Sequence, residues 1–331
     1  MIVTTRFPDL PPLPETPHNA GFRRRFFSRW GRESSVFVAS SRRAAYGPIP
    51  TALSFKTVLE GRATLTLGRR RLLLEPGHFL LVNAGEHYSV DIDSPTPVHC
   101  FSVHFKPELA ADVAASQGRG WAAALEGLDS PGGLPQWREA LRPLDVDLQA
   151  FVARLVTRVA GSDEGPPQGM ALEQSLVLLL QAMLEREQRQ RSEALQALHS
   201  VRAATRHELL RRVDWASDYI LSAYAGPITL DDIAAAAHLS KYHLLRAFHQ
   251  VKRGTPHQFR QARRVQVARG LLAVQSLDLE SVAEATGFGS RWSLQRALRR
   301  HYGASGARLR ETRAADDAGR LNPPAAPPEG G

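Results

Sequence analysis

The last third of this chain is written twice, and that repeat limits its possible folds more than any other feature. Ile228-Thr229-Leu230-Asp231-Asp232-Ile233-Ala234 aligns with Leu277-Asp278-Leu279-Glu280-Ser281-Val282-Ala283 at an offset of 49. The second copy then gains one residue, and the offset becomes 50. From there Leu244 matches Leu294, Arg246 matches Arg296, Ala247 matches Ala297 and Phe248 matches Leu298. Further on, Phe259 matches Leu309 and Arg260 matches Arg310.

Each copy reads as helix, short turn, helix. Acidic Asp231, Asp232 and Glu280 fall in the first turn of the first helix, where the helix dipole favours negative charge. Small residues such as Ala234, Ala235, Ala283 and Ala285 let a second helix cross closely. Ser240 and Ser290 stand where an N-cap is needed. In the second helices, Leu244 with Phe248 and Leu294 with Leu298 lie four residues apart and face inward. The outward faces then carry Lys241, Tyr242, His243, Leu245, Arg246 and His249 in one copy. In the other they carry Arg291, Trp292, Gln295, Arg296 and Arg299. Arginine and glutamine suit guanine and adenine edges in the major groove, so these two faces predict contact with double-stranded DNA.

The charge distribution agrees. The formal net charge is +9, and residues 206–313 hold 18 basic against 9 acidic side chains. Positive charge concentrated in a third of the chain attracts a polyanion and speeds encounter with it. At 331 residues and 43% hydrophobic, two or more globular domains are expected. No apolar run reaches the roughly 18 residues of a membrane span, so no membrane partner is expected. The N-terminus has no basic stretch leading into an apolar core, and Cys100 is the lone cysteine. Both features read as a cytoplasmic protein without disulfide or thiolate-metal chemistry.

Upstream of the repeat the pattern changes twice. Residues 35–106 alternate like short strands, among them 54–59, 63–67, 78–82 and 98–105, with turns at Gly61, Gly68, Pro76-Gly77 and Asn83-Ala84-Gly85. Regular short strands predict a small all-β barrel or sandwich. From 107 the chain reads as helix, notably 147–160 and 171–199, with 161–169 as a Pro/Gly loop. Leu172, Leu176, Leu179, Leu180, Met183 and Leu184 form an apolar stripe that either packs on its own domain or forms a dimer seam. The organisation expected is a disordered arm (1–20), a barrel (21–106), a helical extension with dimerisation element and linker (107–205), the tandem helical domain (206–313) and a disordered tail (314–331). The two repeat units fall at about 228–254 and 277–303.

Residues 206–313 resemble the DNA-binding domain of AraC/XylS-type transcriptional regulators. The resemblance is carried by 239–248, by Gly254-Thr255-Pro256-His257-Gln258-Phe259, by the joining segment 263–272, and by Val282–Phe288 with Tyr302-Gly303-Ala304-Ser305. It implies two helix-turn-helix units joined by a long helix. Lys241, Tyr242, Leu245 and Arg246 would face DNA in the first unit, and Arg291, Trp292, Gln295 and Arg296 in the second. Departures are Arg253 where the family has glycine, Lys252 where it has an aromatic, and Gly306 where it has proline. The turn ending the first unit is therefore expected to shift to Gly254.

The β region resembles the cupin-type sensor domain of the same regulators, through Gly61 and 72–88. The resemblance implies a small-molecule effector in the barrel, a homodimer, and RNA polymerase as the partner of an activator. Enzymatic cupins hold metal with a His-x-His pair, but Arg62-Ala63-Thr64-Leu65-Thr66-Leu67 has none. Only His87 stands near a late-ligand position, while His99 and His104 have opposite strand parity. No metal, other cofactor or catalytic group is therefore expected. A cupin metalloenzyme with an appended nucleic-acid module is the alternative, and a DNA binder without sequence preference is another.

Overall fold

The computed structural model describes residues 2–4, 32–116, 136–160, 166–199, 202–272 and 277–310. The chain forms two compact units, Met1–Ser222 and Ala223–Gly331.

The first unit is built on one rolled sheet. Its strands are β1 (Ile2–Thr4), β2 (Ser35–Pro50), β3 (Ser54–Glu60), β4 (Ala63–Leu67), β5 (Arg70–Leu74), β6 (His78–Val82), β7 (His87–His104) and β8 (Arg142–Pro143). The order is β1-β2-β7-β3-β6-β8, with β4 bridging β5 and β7. The long strand β7 organises it. Its first half pairs with β4 and its second half with β3, while β2 runs antiparallel along both. This is the expected all-β, cupin-like barrel, with two additions. Residues 2–4 of the arm pair with Ser35–Phe37, and residues 142–143 pair with β6. The rest of the arm and the tail 314–331 lie outside the described residues.

The two sheet faces have different jobs, as a period of two requires. Val36, Phe55, Phe79, Leu81, Phe101, Val103 and Phe105 face helices α1 (Pro107–Ser116), α2 (Val146–Ala160) and α3 (Pro166–Ala197), and share one core with them. Leu172, Leu176, Leu179, Leu180, Met183 and Leu184 all bury into that core. The apolar stripe is therefore packed on its own unit and is not a free dimer seam. Helix α3 also starts at Pro166, inside the stretch expected as loop; proline is well suited to a first helical turn, where its missing N–H costs nothing.

The opposite face holds a buried amine. Lys56 is 6% exposed, its Nζ lies 3.0 Å from His104 Nε2 and 3.9 Å from the Tyr88 ring centre, and no carboxylate pairs with it among the described residues. Burial brings its ammonium down to about 7. Burial, and then Lys56, hold His104 well below the usual imidazole range. Between pH 7 and about 9 the unfolded chain binds the Lys56 proton and the folded chain does not. Stability should then rise with pH by up to about 1.4 kcal/mol per unit from this group. Lys56→Met should flatten that slope in urea unfolding at pH 7, 8 and 9. An unchanged slope would mean that Lys56 stays protonated in the fold.

A polar clasp closes the unit around segment 136–145. Glu187, 2% exposed, accepts from Arg138 at 2.8 Å and from Arg142. Arg138 also reaches Asp214 at 2.9 Å, and Arg70 reaches Asp218 at 3.0 Å. The Leu141 N–H donates to Asp218 at 2.8 Å, and the Leu73 N–H donates to Ser222 Oγ at 3.0 Å. Asp214, Asp218 and Ser222 all lie on α4 (Ala203–Ala223). Residues 206–222, expected to open the DNA-binding domain, thus pack with the β unit.

Among its described residues the second unit is all helical: α5 (Leu230–Ala236), α6 (Lys241–Lys252), α7 (Pro256–Leu272), α8 (Leu279–Ala285) and α9 (Arg291–Tyr302). It is the expected pair of helix-turn-helix units, α5–α6 and α8–α9, with α7 between them and packed against α6, α8 and α9.

Candidate nucleic-acid interface

The two second helices, α6 and α9, are set by matching local devices. Ser240 Oγ caps α6 by accepting from the His243 N–H, and Ser290 Oγ caps α9 from the Ser293 N–H. The preceding helices are capped by Thr229, in a capping box with Asp232, and by Asp278. These hydrogen bonds to Asp232 and Asp278 pull both carboxyls below the usual carboxylate range.

Inside, Leu244, Ala247 and Phe248 bury on α6, and Leu294 and Leu298 on α9. Outside, Tyr242 is 68% exposed, Leu245 39% and Trp292 71%. Of the six large apolar side chains standing open among the described residues, these three are the ones on the second unit, and all lie on α6 or α9. Lys241, Arg246, Arg291 and Arg296 are also exposed, and Gln295 is half-buried. The eight residues expected at DNA therefore fall on two helix faces of one unit. Their charges are not equally available. Lys241 is paired with Asp231 at 2.8 Å, and the Arg291 guanidinium lies 5.1 Å from the Trp292 ring centre.

Part of the positive charge is structural. Arg260 donates to the carbonyls of Tyr224 at 3.0 Å, Ile228 at 3.3 Å and Gly226. Arg264 donates to Tyr224 O at 2.7 Å. In the second copy Arg310 donates to Leu277 O. Ile228 and Leu277 are the repeat-equivalent residues, as are Arg260 and Arg310, so each unit is closed by the same arginine-to-carbonyl clasp. The repeat alignment contained this signal, but composition alone counted these arginines as free charge.

The turn after α6 departs from expectation. It is Arg253, not Gly254, that adopts the left-handed conformation, with φ 56°; Gly303 does so after α9 with φ 68°. The reason is the next helix. Thr255 forms a capping box with Gln258, its N–H donating to Gln258 Oε1 at 2.8 Å and its Oγ1 accepting from the Gln258 N–H at 3.2 Å. Thr255 is thereby fixed as the cap of α7, which leaves Arg253 to reverse the chain. A side chain in that conformation costs about 1 kcal/mol. Arg253→Gly should raise the stability of the second unit by about that much, measured as a higher urea midpoint.

The inter-helix turns repeat the theme, with His238 at φ 51° and Gly287 at φ 75°. At Gly287 a Cβ would collide with the backbone of Ala225, so here glycine is required by space as well as by conformation.

On the β unit, His87 is exposed, and His99, also exposed, lies 3.7 Å from Glu60. His104 is buried and faces Lys56, and His78 on β6 is buried as well. Among the described residues no three His, Cys, Asp or Glu side chains are grouped to hold a metal ion. No described helix is long and apolar enough to cross a membrane.

Residues 53–201 match the model of the AraC-like ligand binding domain, and residues 233–312 match a helix-turn-helix domain. A ligand-binding β domain followed by tandem helix-turn-helix units defines a DNA-binding transcription regulator. The chain belongs to the AraC/XylS-type family of these regulators. Among solved structures, an apo variant of ToxT from Vibrio cholerae strain SCE256 is similar over 84% of this chain and 96% of its own, with 11% identity and a TM-score of 0.34. The DNA-binding domain of AdpA, solved with a target DNA, is similar over 33% of this chain and 96% of its own, with 27% identity and a TM-score of 0.29. An AraC-type regulator from Chromobacterium violaceum is similar over 34% and 97%, with 26% identity and a TM-score of 0.30. No curated protein matches the chain significantly.

Proposed function

We propose that this chain is a sequence-specific cytoplasmic regulator, an activator rather than an enzyme, that reads double-stranded DNA with α6 and α9. The carrying observation is the pair of capped helices in one unit, each with a buried apolar face and an outward face of arginine and exposed aromatics. Tyr242, Leu245 and Arg246 meet the DNA from α6, and Arg291, Trp292, Gln295 and Arg296 from α9. Lys241 serves a phosphate once it is released from Asp231. The barrel takes a small-molecule effector, with Lys56, His104 and Tyr88 among the polar groups on its inner face. A second copy of the chain and RNA polymerase are the protein partners.

The test is binding of the full chain to DNA from upstream of its own and neighbouring genes, against scrambled DNA, across a salt series. A site preferred by about 10³-fold or more supports the reading. Equal, steeply salt-dependent binding to every sequence overturns it in favour of a non-specific binder. On a preferred site, Arg246→Ala and Arg296→Ala should each cost about 1–3 kcal/mol and relax the preference at one position. Uniform weakening across sequences would assign them to phosphates.

A further inference from the structure

A second polar site lies on the first unit, away from the inner face of the barrel. Segment 136–140, the end of α3 and the first half of α4 enclose a cleft of about 590 Å³, large enough for a metabolite. Four guanidiniums line it, from Arg70, Arg138, Arg191 and Arg211. Three are neutralised: Arg70 by Asp218 at 3.0 Å, Arg138 by Glu187 and Asp214, and Arg211 by Glu208 at 2.6 Å. Arg191 is different. It is half-buried, and its Nη2 lies 3.0 Å from Nδ1 of His207, with no carboxylate paired to it among the described residues.

An arginine has only donors, so His207 Nδ1 must accept this hydrogen bond and the imidazole is neutral. Burial first, then Arg138, lower the pKa of Arg191. Burial first, then Arg191 and Arg206, lower that of His207. The carboxylates on the cleft wall, Glu139, Glu208 and Asp214, are engaged with Arg70, Arg211 and Arg138, and none is paired with Arg191 or His207. Beside them Arg211 stacks 4.6 Å from the Trp215 ring centre, which gives the cleft a flat wall. Ala203 and Ala204, at the start of α4, complete the rim.

We propose that this cleft binds a small anion, with a carboxylate or phosphate head group held by Arg191 and His207. The ligand would bridge the end of α3 to the start of α4, and so fasten α4 to the ligand-binding unit. This site is separate from the barrel interior and its test involves no DNA, so it stands or falls apart from the regulatory reading above.

The experiment is calorimetric titration of the full chain with citrate and with inorganic phosphate, at constant ionic strength set by sodium chloride. One of the two should bind saturably, and the tighter identifies the head group. Arg191→Gln should weaken it by tenfold or more, and His207→Ala by several-fold. Arg296→Gln, on the helical unit, should leave it unchanged. Arg191→Gln removes a cation held by a single hydrogen bond, so its melting temperature without anion should match the parent. The bound anion should raise the melting temperature of the parent but not of Arg191→Gln. No heat with either anion overturns the proposal. So does equal binding by parent and Arg191→Gln, which would place an adventitious anion on the basic surface of the helical unit.

Discussion

Phe248→Ala should unfold the first helix-turn-helix unit and abolish DNA binding, at a cost of about 3–5 kcal/mol. The ring has no exposed surface, and it meets Phe259 edge-on at 5.5 Å between centres, which fastens α6 to α7. Leu244 and Ala247 share that buried face. Truncation to a methyl leaves a cavity with no flexible neighbour to fill it, because Phe259 is set by the capped start of α7. A domain with only about 5–15 kcal/mol of total stability cannot absorb such a loss easily. Urea unfolding should show the transition of the helical unit displaced to lower denaturant while the β unit keeps its own midpoint. A variant that keeps the parent midpoint would mean that the inward and outward faces of α6 have been assigned the wrong way round, and with them Tyr242, Leu245 and Arg246.

Glu187→Ala should destabilise the β unit by about 3–5 kcal/mol, as expected when one member of a buried ionic cluster is removed. Glu187 receives both Arg138 and Arg142. Burial already pulls Arg142 down to about 9, so its charge is costly even with the carboxylate present. Without it two guanidiniums face each other in low dielectric, and Arg142 keeps only the fields of Asp214 and Asp218. The matching double variant Glu187→Met with Arg142→Met should recover much of the loss, because an apolar pair leaves no stranded charge. Thermal unfolding of the three proteins measures this directly. A Glu187→Ala protein within about 1 kcal/mol of the parent would show that the cluster is hydrated and only weakly coupled.

What the sequence disclosed, and what it hid, follows from the range over which each feature is encoded. The repeat is local: caps at Ser240 and Ser290, apolar pairs four residues apart and basic outer faces all lie within single helices, and the family models match there. The barrel strands were legible by alternation for the same reason. The stripe on α3 could be seen but not assigned, since a buried face looks the same whether a sheet or a second chain covers it. The clasp of Glu187 with Arg138, Arg142 and Asp214 joins residues up to 76 positions apart, and nothing near any of them announces it. The left-handed Arg253 was misplaced because glycine is the usual occupant and Gly254 stood next to it. The decision lay downstream, in the capping box of Thr255 and Gln258. Lys56 sat unremarked in a strand pattern that treats every inward position as apolar.

The unequal charge of the two outer helix faces has a kinetic consequence. On α6 the ammonium of Lys241 is engaged by Asp231, whereas Arg296, Arg299 and Arg300 on α9 make no ion pair among the described residues. Long-range attraction acts before any side chain can sense a base edge. The α9 side would therefore make first contact and hold the protein loosely while it slides along the duplex. The α6 side, with its exposed Tyr242 and Leu245, would engage last and decide whether the protein stops. Arrival and recognition would then be divided between the two copies of the repeat.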